Sequence, residues 1–105
     1  MKAFLFLVTT AVAVSASAFI GLDSHYGKVS HVRGWEYKCT LENHKNRTLD
    51  MKYVVFIADR MTGDSMPEEV QVRIDRKVRP GRVIEASAEI HPSYTVSLCK
   101  FLSRN

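Results

Sequence analysis

The sequence predicts an all-β domain, an antiparallel sandwich or small barrel of about six or seven short strands. Three observations carry that expectation. Apolar residues alternate with polar ones in several short stretches, as in half-buried strands. Turn-forming residues separate those stretches at roughly ten-residue intervals. No segment keeps a helical period. With 105 residues, 46% hydrophobic and 25% charged, the chain is one domain in size and too apolar to be disordered throughout.

The first eighteen residues are not read as fold. Met1 to Ala18 carries Lys2, an uncharged apolar run and then Ala16-Ser17-Ala18. That order is a secretory signal peptide with cleavage after Ala18, because small residues fit the peptidase's narrow pockets. An uncleaved anchor is the competing account, since Ala3 to Ile20 lacks charge. The Ala-x-Ala ending and the diluting Thr9, Thr10, Ser15 and Ser17 favour cleavage. No membrane segment then remains, and the protein is secreted or periplasmic.

Residues 19–34 form a flexible lead-in in which Lys28 to Arg33 is at most an edge strand; Gly34 breaks it from the sandwich of residues 35–105. From Trp35 to Glu42, Trp35, Tyr37, Cys39 and Leu41 share one face and Glu36, Lys38, Thr40 and Glu42 the other. Asn43 to Arg47 is a polar turn. Thr48 to Ala58 is a second strand whose continuous run Tyr53 to Ala58 suggests a central position covered on both faces. Trp35 to Asp59 is therefore expected to be the central hairpin. Asp59 to Pro67 is a loop, and Glu69 to Asp75 alternates again, with Val70, Val72 and Ile74 facing in. Pro80-Gly81 marks a turn, Pro fixing φ and Gly supplying φ > 0. Val83 to Ile90 follows with Ile84, Ala86, Ala88 and Ile90 inward, then His91-Pro92 and a last strand, Tyr94 to Leu102. The expected core is Trp35, Tyr37, Leu41, Val54, Phe56, Val72, Ile84, Ala86 and Val96.

Several of these pieces have a counterpart elsewhere. Leu41-Glu42-Asn43, Thr48-Leu49, Val54 to Ala58 followed by Asp59, Gly63, and Arg79-Pro80-Gly81 before Val83 lie between Glu36 and Ile90. Their arrangement resembles the FxLYD family of small exported immunoglobulin-like domains. The resemblance implies an immunoglobulin-like β-sandwich with a binding or structural role and no catalytic site. These are turn and core positions, so what they carry is fold.

Two cysteines after an export signal are expected to pair, as Cys39–Cys99. Alternation alone leaves one matter open. Cys99 shares a face with Thr95, Ser97 and Phe101, while Tyr94, Val96 and Leu98 take the other, so either face can look inward.

Candidate chemistry is sparse. Gly63-Asp64-Ser65 resembles part of a trypsin-like nucleophile segment, but Met66 follows in place of glycine and the chain is too short for a double barrel. His25, His31, His44 and His91 stand far apart, and the Asp59 to Asp64 stretch lacks the alternating ligands of a calcium loop. No catalytic residue, metal site or cofactor is assigned, and the chain is not read as an enzyme. Asn46-Arg47-Thr48 matches the glycosylation sequon and is read as a chance match. The candidate binding residues are Arg73, Arg76, Lys77, Arg79 and Arg82, grouped about the Pro-Gly turn with only Asp75 opposing them. With a net charge of +4 and a pI near 9.3, they suit an anionic envelope polymer such as lipopolysaccharide, or an acidic protein. A solvated hairpin tip is the bland account of the same residues. Nucleic acid fits poorly, since no aromatics interleave with the arginines. The alternative function is a secreted or periplasmic enzyme inhibitor. Tyr37-Lys38-Cys39 resembles the opening strand of one family of lysozyme inhibitors.

Overall fold

The computed structural model describes residues 21–61 and 66–104. The expected signal peptide, with its expected cleavage after Ala18, and the Gly63-Asp64-Ser65 segment lie outside the described residues. Within them the chain forms strands β1 (Leu22–Tyr26), β2 (Lys28–Arg33), β3 (Glu36–Glu42), β4 (Leu49–Arg60), β5 (Glu68–Val78), β6 (Val83–Glu89) and β7 (Tyr94–Arg104). They make two antiparallel sheets in the orders β1-β7-β4-β5 and β2-β3-β6. Apolar side chains of both sheets meet in one core, as in a β-sandwich.

Trp35 to Asp59 is not a hairpin. β3 pairs with β2 and β6, whereas β4 pairs with β7 and β5, so the Asn43–Arg47 segment arches from one sheet to the other. Both strands are apolar enough to be central, and a sandwich separates two such strands so that each buries a face against the other. The arch is held by Asn43, which is only 2% exposed. Its Nδ2 donates to the Arg47 carbonyl (3.0 Å) and the Val78 carbonyl (2.8 Å), and its Oδ1 accepts from Lys45 N (2.9 Å).

The lead-in supplies two strands. Lys28 to Arg33 is an edge strand, as expected; Leu22 to Tyr26 is a strand that periodicity did not pick out. β1 is recruited through the backbone, by pairing with the free edge of β7 from Leu22↔Arg104 to Tyr26↔Lys100. β2 and β3 are joined by the two-residue turn Gly34-Trp35, with Gly34 at φ +53°. Trp35 thus stands at a hairpin tip, 57% exposed, and is not part of the core. Val54, Phe56, Ile84 and Ala86 are buried as expected, and Tyr37, Leu41, Val72 and Val96 pack against the core while partly exposed.

Two irregularities set the phase of the long strands. β4 shifts register between Met51 and Tyr53, so Leu49 and Met51 face the core on one side of the shift and Val54, Phe56 and Ala58 on the other. A second shift, opposite Ile57 and Ala58, inserts Ser97 into β7. It turns Val96 inward before the insertion and Cys99 and Phe101 inward after it. The face on which Cys99 stands is settled by this bulge. Val55 and Leu102 are also buried, although they point to the outer face of the four-stranded sheet. In register, Lys100 and Gln71 flank Val55, so on that face the cover comes from long side chains of neighbouring strands.

Cys39 on β3 and Cys99 on β7 form the disulfide, with Cα atoms 6.0 Å apart and a sequence separation of 60. It joins the two sheets through the centre of the core. Closing a loop of that length contributes about 4 kcal/mol in the chain-entropy account. Gly27 passes directly over it as the chain steps from β1 in one sheet to β2 in the other. Gly27 N donates to the Cys99 carbonyl at 3.1 Å.

Candidate functional site

The basic residues sit at one end of the sandwich, where the β3–β4 arch and the β5–β6 turn come together. Arg79-Pro80-Gly81-Arg82 closes as a β-turn through Arg82 N to the Arg79 carbonyl (3.0 Å), with Gly81 at φ +78°. Gly81 N donates to the Asn43 carbonyl (2.8 Å) and Asn43 N to the Arg82 carbonyl (2.9 Å). Together with the Asn43 side chain on the Val78 carbonyl, these bonds make the two loops one unit.

Beside the turn lies a shallow depression of about 330 Å³, lined by Arg76, Lys77, Arg79 and Arg82 with Val78, Val83 and Ile84. Four of the five basic residues singled out in the sequence therefore converge. Arg73 does not. Asp75 sits at φ +48° in a bulge of β5, and its carboxylate accepts from Arg73 Nε at 2.6 Å. That bond holds the Asp75 carboxyl below its usual range and pushes the Arg73 guanidinium up. Arg73 also lies over the Tyr53 ring, 5.6 Å from its centroid. Asp75 is thus spent on Arg73 and on Lys52, at 3.4 Å, and not on the depression.

Nearby carboxylates are engaged elsewhere. Asp50, opposite Lys77 in the ladder, pairs with Lys52 at 3.3 Å; Glu85 pairs with Lys38 at 3.7 Å; Glu42 faces His44 at 3.9 Å. Arg76 reaches across the open side of the sandwich and donates to the Glu85 carbonyl on the unpaired edge of β6. Lys77, Arg79 and Arg82 make no ion pair among the described residues. Three exposed cations lining one depression without an ion-pair partner create a positive potential that favours an anion.

The arch adds Lys45 and Arg47 to this end. From the sequence that segment reads only as a turn, although its basic content is visible there. Both cations bear on His25, whose pKa lies below the usual 6.5, first through burial and then through these charges, with Asp23 opposing. His25 Nε2 lies 2.8 Å from the hydroxyl of Ser103, which is fully buried. A hydroxyl that substrate cannot reach is not a working nucleophile. His31 donates from Nε2 to the Gly34 carbonyl (2.7 Å), and His91 Nδ1 accepts from Ser93 N (3.0 Å). Among the described residues no three His, Cys, Asp or Glu side chains group as metal ligands.

No known family, characterised protein or solved structure matches this chain.

Proposed function

We propose that the chain is an exported, non-enzymatic binding module that holds an anionic envelope polymer at its basic end. The observation that carries this reading is the set of unpaired cations, Lys77, Arg79 and Arg82, held about one depression by the Asn43 bonds. Repeated phosphate or carboxylate groups on a polymer suit such a cluster, because each guanidinium offers a planar fork of donors. The disulfide through the core supports an oxidising, extracytoplasmic compartment. An immunoglobulin-like assignment of the FxLYD type is part of the same proposal. It is supported by the sheet-to-sheet disulfide between β3 and β7 and by a first strand that changes sheets at Gly27.

The test replaces Arg76, Lys77 and Arg79 together by Ser and measures retention on a phosphate-bearing matrix as salt is raised. The parent is retained at low salt and released as screening grows, and the triple variant elutes early. Equal retention of the two proteins would return these residues to the role of a solvated tip.

A further inference from the structure

The opposite end of the sandwich carries a second concavity, of about 330 Å³, lined by Arg33, Gly34, Trp35, Glu36 and Glu89. We infer that this is a saccharide-binding site, in which a neutral sugar ring stacks on Trp35 and its hydroxyls meet Glu89, Glu36 and Arg33.

The indole is exposed, on a backbone that is held in place. The Gly34-Trp35 turn projects it from the hairpin tip, and the Trp35 carbonyl accepts from Ile90 N at 2.7 Å. The His91 ring backs it, with centroids 6.4 Å apart and planes inclined by 25°. Ser93 N fixes that imidazole through Nδ1, and Tyr94 meets it edge-on at 6.4 Å. The Tyr94 hydroxyl is itself anchored, donating to Glu68 at 2.8 Å. An aromatic plate that is preorganised yet open to solvent is a binding anchor, because its desolvation is favourable and little ordering remains to be done.

The polar rim decides the class of ligand. Glu36 and Glu89 are direct partners across β3 and β6. Arg33 lies 3.9 Å from Glu36, while Glu89 and the indole N–H have no partner among the described residues. A wholly apolar ligand would desolvate Glu89 and Arg33 without replacing their hydrogen bonds. An anion would face two carboxylates, and a cation would meet only Glu89, since Arg33 already pairs with Glu36. A sugar escapes all three objections. Its hydroxyls donate to the carboxylates and accept from Arg33 and the indole N–H, while its axial C–H face lies on the ring. A volume of about 330 Å³ is at the small end of ligand sites, suited to a short saccharide.

This site stands apart from the basic end and does not depend on it: the two loop clusters lie at opposite ends of β4. Trp35 is the one tryptophan of the chain, so its emission reports this concavity alone. The experiment titrates the full protein, freed of residues 1–18 if these are cleaved on export, with cellotriose, maltotriose and tri-N-acetylchitotriose. Choline and a lysine-rich peptide serve as the cationic comparison. A saturable change of Trp35 emission with at least one trisaccharide is expected. Glu89→Gln should weaken it about tenfold, the size of one hydrogen bond to a charged group. Trp35→Ala, followed by calorimetry, should abolish binding while leaving the urea midpoint near that of the parent. No saturable response to any of the three sugars at about 10 mM would overturn the inference, since a site with a Kd of about 1 mM would then be roughly nine-tenths filled. So would a response unchanged by both substitutions, or one given by choline or the peptide in place of the sugars.

Discussion

Gly27→Ala is the substitution by which the two-sheet architecture is most sharply tested. Gly27 lies where the chain leaves β1 in one sheet and enters β2 in the other. A Cβ there would stand 2.7 Å from Cys39 Sγ and 2.8 Å from the Thr40 carbonyl oxygen. Neither neighbour is the loose end of a flexible side chain: one belongs to the buried disulfide and the other to the backbone of β3. The crossing must therefore lift, straining or breaking the bond from Gly27 N to the Cys99 carbonyl. Overpacking of this kind costs about 1–3 kcal/mol and the hydrogen bond about 1 more, giving roughly 2–4 kcal/mol. In a domain of this size that corresponds to a fall in Tm of roughly 10–25 °C. Urea and thermal unfolding followed by far-ultraviolet circular dichroism measure it. A double-mutant cycle locates the cause. With Cys39 and Cys99 both changed to Ala the sulfur contact is gone, so the penalty of Gly27→Ala should shrink by about 1 kcal/mol, the Thr40 contact remaining. A Gly27→Ala protein within about 0.5 kcal/mol of the parent would refute the close crossing.

Two further outcomes follow from the same geometry. Asn43→Ala strands the Val78 and Arg47 carbonyls and frees Lys45 N, so stability should fall by about 3 kcal/mol in urea unfolding. Retention on the phosphate matrix should fall as well, although no cation has been removed, because the arch and the Pro-Gly turn lose their common clamp. The His25 pKa is lowered in the folded state, so the unfolded chain binds the proton more readily. Its contribution is complete above the ordinary value of 6.5 and is lost progressively as pH falls below it. The urea midpoint should accordingly drop between about pH 7.5 and pH 5. His25→Gln should flatten that part of the slope, and an unchanged slope would remove His25 from the account.

Local chemistry alone determined a good deal about this protein. Alternation in Glu36 to Glu42 and Val83 to Glu89, and the apolar run of β4, specified strands because a pleated chain with one buried face must repeat every two residues. Pro80-Gly81 specified its turn, since few other pairs supply its φ angles so readily. Two cysteines specified the only disulfide they could form within the chain. Which strand lies beside which was not local. Asn43 to Arg47 reads as a hairpin turn, and only the competition of β3 and β4 for opposite faces of one core made it an arch. Trp35 continues the apolar face of β3 by alternation, yet the two-residue turn with Gly34 leaves it outside. β1 has little apolar pattern and exists because β7 offers an unpaired edge. The bulge at Ser97 lets Val96 and Cys99 share a face that strict alternation denies them. The two ends of the molecule were decided in the same way. Arg73 was withdrawn from the basic cluster by Asp75, while the arch brought Lys45 and Arg47 toward it. Glu89 became a neighbour of Glu36 and Trp35 across a ladder joining residues distant in sequence. Periodicity and turn preference act over a few residues and can be read from the chain; pairing, phase shifts and charge neighbours depend on contacts that exist only once the sheets have packed.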